Sequence, residues 1–567
     1  MQNHIQIYRA VALNAIIIAT LPLSASGASP RPRFYKDDPI QTEPETQDAS
    51  KVNPWKIDLF YDVMLNQFTR PGLAPGTASR NINTIDEVPD SSWFTNRIMG
   101  RPLTIEQMMR GPLTTNGPAP GLLKVIAAKS EGAAPGFTVR DSAGETWFLA
   151  FDPKSNPEAS TGAAVIAMRI FWALGYHQAE YHISELRREQ LQVAAEAKFE
   201  PPSGRVRAMK MGDIEPVLER AARKPNGSYR ILASRLLPGK LLGGFKYYGT
   251  RSDDPNDVIP HEQRRELRAL QVFAAWTNLV DVKALNTMDT LMTENGRATV
   301  RHYLLDVGST FGIGANGPHE WTDGYEHLYE GDKALKRALT LGLYIRPWQT
   351  VDYEKNRSVG RFEGDQFNPL EWRSRVPAAA LLQARDDDTF WAARRVMAFS
   401  DDMIRELVKS GKYSDPEAEK LLARVLIKRR DKIGQVYYSR VNPLVNFSLD
   451  PSGSLRFQNA AAQAGMKSSA AYKTAWSVFD NETGTATPIG DTNSANEQMT
   501  APARLPTAVG SYVMAEVSTM HAQHAAWAKP VKVTFLRTSR DWKLVGLERM
   551  HTATTPERGE IAQAAKH

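Results

Sequence analysis

The chain contains no cysteine among its 567 residues. This absence excludes disulfide bonds, thiolate metal sites and a cysteine nucleophile, and it removes the thiol to which a bacterial lipoprotein anchor is attached. Two hydrolase signatures are also missing. The sequence has neither a Gly-x-Ser-x-Gly elbow nor a His-x-x-x-His zinc pair with its catalytic glutamate. Serine hydrolases and zinc proteases of these kinds are therefore not supported.

Charge of one sign is not in large excess. The formal net charge is +7, with 42% apolar and 23% charged residues, which is ordinary for a globular protein. A charge of this size affects solubility and weak association, and no nucleic-acid partner is expected from it. The basic clusters Arg264-Arg265 and Lys428-Arg429-Arg430 occur among acids at helical spacing. We therefore expect them on solvated helix faces.

Long apolar runs are scarce, and the longest lies near the beginning of the sequence. A short segment with one cation, Met1 to Arg9, precedes the mainly apolar run Ala10 to Leu23, and small residues follow at Ser24 to Ala28. This order predicts a signal peptide over residues 1–28. The run is short for a membrane span, and a retained anchor is the alternative. We expect a periplasmic or secreted protein with no integral membrane span after cleavage.

Residues 29–110 have the composition of an extension. The stretch from Ser29 to about Ser50 is rich in Pro, Asp, Glu, Gln and Thr, which predicts a flexible leader. After it, aromatic residues and short helical stretches such as Ile105 to Arg110 alternate with Pro and Gly. We expect this second part to pack against the domain that follows.

Residues 111–250 have the pattern of a β-rich unit. Turn residues at Asp141 to Gly144 separate two of its strands, and a helix is predicted from Ala163 to Leu174, where Gly175 ends it. The predicted strands are 122–126, 136–139, 147–151 and 229–237.

The later regions differ from this unit and from each other. Residues 251–445 are mostly helical, with a long helix from His261 to about Asn278 and another that begins at Asp415-Pro416. Residues 476–550 alternate apolar and polar residues, which predicts a small β-rich domain over residues 446–567 without visible chemistry. A hairpin is expected there, between 531–535 and 542–546.

Two short motifs carry the chemistry. Asp281-x-Lys283-x-x-Asn286 follows the long helix, and Asp306-x-Gly308 comes twenty residues later, after a short apolar strand. Both resemble signatures of protein kinases, namely the catalytic loop and the metal-binding Asp-x-Gly. The alternative is that Asp281 and Asn286 cap turns and that Lys283 is a surface residue.

These residue types suit phosphoryl transfer. A carboxylate such as Asp281 can orient an attacking hydroxyl and accept its proton, and Lys283 can supply a cation near the transferred group. Asn286 and Asp306 offer the hard oxygen atoms that Mg²⁺ prefers. The resemblance therefore implies ATP and Mg²⁺ as cofactors and an acceptor that carries a hydroxyl group.

The nucleotide would also need a glycine-containing cover and a lysine on its phosphates. Residues 131–136, with Gly132 and Gly136, are a candidate cover, and an ordinary strand-connecting turn is the alternative. The position at which the kinase pattern has its lysine is Ala150. The candidates that remain for cofactor binding are Lys129, Lys154 and Glu158, the last as a partner for a lysine. Glu158 also suits the first turn of a helix for dipole reasons.

Several segments resemble an uncharacterised family of exported bacterial proteins, which is distantly similar to the HipA-like and CotH-like atypical kinases. The likeness covers about residues 110–445. It implies an α+β fold with a two-lobed protein-kinase-like core: a β-rich N-lobe at 111–250, a helical C-lobe at 251–445, the N-terminal extension and the small C-terminal β domain. The segments that carry it are 129–137, 151–153, 249–257 and 261–268.

Three functions fit these observations. The first is an exported kinase-like phosphotransferase that uses a Mg-nucleotide. The second is a catalytically inactive kinase fold that serves as a binding or scaffold protein of the cell envelope, which Ala150 and the scarcity of ATP outside the cytoplasm favour. The third is an envelope-binding protein that acts through its C-terminal β domain. The phosphoryl acceptor does not follow from the sequence.

Overall fold

The computed structural model describes residues 32–100, 103–129, 136–200, 205–466 and 471–549. Within them the chain is a mixed α+β protein with ten α-helices and twenty strands. The predicted signal peptide and Gly132 lie outside the described residues. No helix in the described part of the chain is long and apolar enough to cross a membrane.

The N-terminal extension packs against the rest of the chain. Its helices are α1 (Leu59–Phe68) and α2 (Ile105–Arg110). Phe34 and Ala49 are buried, and the Ala49 amide donates to the Ala298 carbonyl at 2.9 Å. Glu43 forms an ion pair with the buried Arg264 at 3.2 Å. Residues 32–50, expected to be a flexible leader, are thus held by apolar burial and by charge pairing that their polar composition does not reveal.

A seven-stranded sheet forms the β-rich unit, in the order β4-β7-β3-β2-β1-β5-β6. Strands β1 and β5 are parallel, and the other neighbouring pairs are antiparallel. The elements are β1 (Leu123–Lys129), β2 (Gly136–Arg140), β3 (Thr146–Phe151), α3 (Ala159–Leu174), β4 (Tyr181–Leu186), β5 (Leu191–Glu200), β6 (Arg207–Ala208), α4 (Glu215–Leu218) and β7 (Tyr229–Arg235).

Alternation of side chains gives this sheet two different faces. On β3, Trp147 and Leu149 enter a hydrophobic core that also contains Val217. Their neighbours Phe148 and Ala150 lie on the opposite face, because successive side chains of a strand point to opposite sides. The predicted β2–β3 hairpin is present, and the Asp141 carboxylate accepts hydrogen bonds from the backbone amides of its turn.

The region after the sheet is mainly helical. The predicted helix start at Asp415 is present, since the Asp415 carboxylate accepts from the Glu417 amide at 2.9 Å. The elements are β8 (Lys240–Gly243), α5 (Arg265–Thr277), β9 (Thr287–Glu294), β10 (Arg297–Leu304), β11 (Ile313–Gly314), β12 (Gly317–Pro318), α6 (Gly331–Leu339), α7 (Ala379–Leu382), α8 (Asp386–Met397), α9 (Asp401–Lys409) and α10 (Pro416–Tyr438).

Helix α5 buries its arginines. The prediction of a solvated face is wrong for Arg264 and Arg265, which are 1% and 0% exposed. Arg265 Nε and Arg268 Nη1 donate to the two carboxylate oxygens of Asp388, on α8, at 3.0 and 3.1 Å. In the other basic cluster Lys428 is exposed, whereas Arg429 is buried. Partners that are distant in sequence compensate these charges, and helical periodicity cannot reveal such partners.

The C-terminal region is β-rich, as expected, and its first strand begins at Leu444. Its sheets have the orders β13-β14-β17 and β16-β15-β18-β19-β20, and the predicted hairpin is β19–β20. Trp527 Nε1 donates to the Tyr438 carbonyl at 2.9 Å, so the region is anchored to the end of α10. The strands are β13 (Leu444–Leu449), β14 (Ser454–Asn459), β15 (Ala471–Phe479), β16 (Ala486–Ser494), β17 (Gln498–Thr500), β18 (Tyr512–Met520), β19 (Val531–Arg537) and β20 (Trp542–Arg549).

Candidate active site

A cavity of about 1020 Å³ separates the sheet from the helical region. Both candidate carboxylates, Asp281 and Asp306, line it. Its volume is at the upper end of the range of ligand-binding pockets in proteins. Much of the wall is apolar, and the apolar side chains include Ala127, Phe148, Ala150, Leu232, Leu236, Leu241, Met288 and Leu305.

Asp281 lies just after helix α5. The helix ends at Thr277, and the cap residue Asn278 has a left-handed backbone (φ 55°) that stops it. Lys283 Nζ donates to Asp281 Oδ2 at 2.8 Å, and both side chains are less than one-fifth exposed. Asp281 Oδ1 has no hydrogen-bond partner in the described part of the chain. The lysine thus fixes one oxygen of the carboxylate and leaves the other available.

Asn286 joins the two motifs. Its Nδ2 donates to the Asp281 carbonyl at 2.8 Å, and its own carbonyl accepts from the amides of Leu305 and Asp306, both at 3.0 Å. The β9–β10 hairpin explains this contact, because its register pairs Thr287 with Leu304 and so returns the chain to its starting point. A spacing of twenty residues in sequence therefore becomes a direct contact in space.

Asp306 is exposed to the cavity, and its Oδ1 accepts from the Gly308 amide at 2.9 Å. A Cβ atom at Gly308 would lie 3.2 Å from that oxygen, so the missing side chain permits the close turn. The pKa of Asp306 is raised, first because the protein walls withdraw the carboxylate from bulk water and also because Asp281 repels its charge. A cation beside these two acids would relieve that repulsion.

The donor atoms fit a magnesium ion. The carboxylate of Asp306 and the Oδ1 atom of Asn286 are hard oxygen ligands, and Asn286 uses only its Nδ2 in the contact with Asp281. No group of three or more His, Asp or Glu side chains suited to a metal occurs in the described ranges. Mg²⁺ is commonly held by one or two protein ligands together with water and phosphate oxygens. Of the two candidate ligands, Asp306 lines the cavity, whereas Asn286 does not.

The sheet side of the cavity differs from the prediction. Gly136 lines the cavity, but a Cβ atom there would lie 2.2 Å from the Leu149 carbonyl oxygen, so close strand pairing already requires a glycine. Lys129 ends β1, and its side chain is outside the described part. Lys154 is exposed and does not line the cavity. Glu158 also lies outside the wall, and its carboxylate accepts from the Ser414 amide at 2.7 Å.

The sequence analysis did not identify Lys198 as a site residue. It lies on β5 opposite Ala127 of β1, it is exposed, and it lines the cavity. Among the described residues it has no ion-pair partner. The alternating pattern of β5 indicates that Lys198 and Glu200 share a face, but only the parallel pairing of β5 with β1 places that face at the cavity.

The other basic residues of the wall are engaged or neutral. Arg235 pairs with Glu145 at 3.0 Å, and Arg375 makes a bidentate ion pair with Asp323 at 2.8 and 2.5 Å. Burial lowers the pKa of His319 to about 4, so this imidazole is neutral at pH 7. Lys198 is therefore the lining cation in the described part of the chain that remains available for a phosphate group.

Comparison with known proteins gives little further guidance. No family model and no curated protein matches the chain. A crystal structure of the Golgi casein kinase with Mn/ADP bound is 11% identical, with a TM-score of 0.27, and the match covers 58% of this chain and 76% of that one. A second crystal structure of the Golgi casein kinase is 12% identical, with a TM-score of 0.28, covering 71% and 95%. At these TM-scores the site has to be interpreted from its own residues.

Proposed function

We propose that the chain is an exported, kinase-like phosphotransferase that moves a phosphoryl group from a Mg-nucleotide to a hydroxyl acceptor. The observation that carries this proposal is the junction at Asn286, which links Asp281 and Asp306 at the wall of one large cavity. The sheet on one side of the cavity and the helices on the other support the proposal of a two-lobed core.

Each polar residue has a distinct role in this proposal. Asp281 accepts the proton of the attacking hydroxyl group. The hydroxyl oxygen forms a bond to the γ-phosphorus, and the bond from the γ-phosphorus to the oxygen that bridges it to the β-phosphate breaks. Lys283 holds the Asp281 carboxylate in position. Asn286 and Asp306 hold Mg²⁺, which when bound neutralises charge on the phosphate oxygens.

Lys198 replaces the lysine that is absent at position 150. Ala150 and Lys198 both line the cavity, and what a phosphate requires is an ammonium group within reach, whichever strand carries it. The apolar wall then accommodates the base of the nucleotide. In this proposal β5 carries the phosphate-binding lysine that the kinase pattern places in the middle of β3.

A binding experiment tests the proposal. Purified protein should show a Mg²⁺-dependent increase in Tm with ATP, and Asp306→Ala should abolish it, because the metal loses its carboxylate ligand. Asp402→Ala, at an exposed acid of α9, is the matched control and should keep the increase. Absence of an increase with any nucleotide would exclude the phosphotransferase.

The alternative function is an inactive kinase fold that binds partners in the cell envelope. The presence of Ala150 in the cavity wall favours it. This alternative would be supported if the protein binds nucleotide but transfers no phosphate, and if Asp281→Asn binds nucleotide as the unaltered chain does. Transfer of the γ-phosphate that depends on Asp281 would exclude it.

A further inference from the structure

Helix α1 turns its apolar side outward. Phe60, Tyr61 and Phe68 are 73%, 64% and 58% exposed, whereas Asp62 and Asn66 are buried. A surface helix of a globular protein normally has the opposite arrangement, with its apolar stripe toward the core. The polar side has a local reason, since α1 packs on the turn at 284–286. On the apolar side, Phe68 contacts Tyr329, whereas Phe60 and Tyr61 stay mostly exposed.

A second exposed apolar surface lies on residues 328–345. Helix α6 has no buried residue, and its Leu339 is 76% exposed. Leu341 and Leu343, which follow the helix, are 91% and 83% exposed. Single exposed apolar residues are common, but a group of this kind marks an interaction site.

The two surfaces meet. The rings of Phe68 and Tyr329 are 5.6 Å apart, and Gln67 Nε2 donates to the Tyr329 carbonyl at 2.8 Å. We call the combined surface the apolar patch, defined by Phe60, Met64, Phe68, Leu339, Leu341 and Leu343. It is built from two segments that are more than 250 residues apart in sequence and that meet where Phe68 and Gln67 contact Tyr329.

Positive charge accompanies the patch. Residues 330–346 contain four cations and two acids, and the cations include Lys336 and Arg337 on α6. Lys336 Nζ lies 4.2 Å from the ring centre of Tyr344, and Arg346 pairs with the buried Glu326 at 2.6 Å, which anchors the end of the segment. A short helix with leucines on one side and Lys and Arg on the other, flanked by aromatic residues, is typical of segments that lie in a lipid interface.

We propose that the apolar patch docks the protein onto an anionic lipid surface. Leucine and aromatic side chains enter the boundary between headgroups and acyl chains, and the cations of α6 approach the anionic headgroups. The charge favours lipid over a second copy of the chain, because two such faces would bring their basic helices together. The proposal does not depend on phosphoryl transfer.

The patch also lies beside the candidate active site. A smaller cavity of about 260 Å³ is lined by Arg375 and by Leu328, Tyr329 and Ala334, which belong to the exposed segment 328–345. Arg375 also lines the large cavity. A molecule held at the lipid surface would therefore lie close to the cavity that contains Asp281.

The absence of cysteine allows a local test. In the full chain, Leu343→Cys provides one thiol for an environment-sensitive fluorophore, and Val509→Cys, at a 69% exposed residue of the C-terminal region, provides the matched control. Vesicles of phosphatidylcholine with phosphatidylglycerol should shift the emission of the label at 343 to shorter wavelength. Pure phosphatidylcholine should give a shift at least several-fold smaller, and the label at 509 should not respond.

Two outcomes would overturn the proposal. If the protein sediments with vesicles while the label at 343 does not respond, then another segment, such as the run Ala10 to Leu23, binds the lipid. A response at 343 that depends on protein concentration and not on lipid would assign the patch to a second copy. Lys336→Glu with Arg337→Glu should weaken binding to the anionic vesicles about 10-fold or more, and added salt should weaken binding of the unaltered chain as well.

Discussion

The two walls of the cavity differ in the side chains that they present. The helical wall carries Asp281 and Asp306. Behind it, α5 packs into a hydrophobic core and also carries buried ion pairs from Arg265 and Arg268 to Asp388. The sheet wall is mostly apolar and rests on a hydrophobic core. In the proposed function the helical wall supplies the reacting groups, and the sheet wall supplies a surface for the ligand and, within the described part of the chain, one available cation, Lys198.

The largest expected effect is on the helical wall. Asp281→Asn should lower the rate of phosphoryl transfer about 10²- to 10⁴-fold, because the amide cannot accept the proton of the attacking hydroxyl. The ATP-dependent increase in Tm should remain, since Asn286 and Asp306 are unchanged. Steady-state kinetics with a radiolabelled γ-phosphate measures the loss, and Asp402→Asn serves as the control. An unchanged rate would remove Asp281 from the reaction.

The second prediction concerns the scaffolds behind the walls. Asp388→Ala should lower the free energy of unfolding by about 3–5 kcal/mol, because the buried Arg268 loses the ion-pair partner that it has in the described chain and Arg265 keeps only Asp86 and Asp387. Leu149→Ala, on the sheet side, should cost about 2–5 kcal/mol through the cavity that it creates. Denaturant unfolding measures both. A cost below about 1 kcal/mol for Asp388→Ala would contradict a stabilising contribution from its ion pairs with Arg265 and Arg268.

Acid should destabilise the helical side through Glu87, whose carboxylate pairs with Arg394 and Arg395 of α8. Burial by itself would raise the pKa of Glu87, but Arg395 and Arg394 on α8 outweigh it and lower that pKa from 4.5 to about 2. A pKa that is lower in the folded state contributes stability above pH 4.5, and this contribution is lost as the pH falls toward 2.

The free energy of unfolding should therefore decrease between pH 4.5 and 2, with a smaller slope in Glu87→Gln. Denaturant unfolding at several pH values measures this slope. Glu417→Gln, at an exposed acid of α10, is the control and should keep the slope of the unaltered chain. An unchanged slope in Glu87→Gln would contradict the prediction.

The smallest effect is expected on the sheet wall. Lys198→Met should weaken ATP binding about 10- to 100-fold, because one hydrogen bond to a charged phosphate is lost. Titration calorimetry measures the affinity, and Lys473→Met, at an exposed strand of the C-terminal region, should leave it unchanged. Unaltered ATP binding in Lys198→Met would mean that another residue supplies the cation for the phosphates.

The sequence predicted the site unevenly. The residues of the two motifs were predicted from their spacing, and the β9–β10 hairpin brings Asn286 into contact with Asp306. Gly136 also lies at the cavity, although strand packing already explains it. Lys154 and Glu158 lie outside the cavity wall, although Ser160 and Thr161, which follow them, line it. Lys198 could not be found, since a parallel pairing between distant strands brings it to the site.

The sequence by itself determined the local structure: the β2–β3 hairpin at Asp141, the helix end at Gly175 and the helix start at Asp415. These features depend on turn residues, caps and periodicity within a few neighbouring residues. Only the tertiary structure decided which side of a helix meets the core. It buried the arginines of α5 and exposed the aromatic residues of α1, because burial of a polar side depends on partners supplied from elsewhere in the chain.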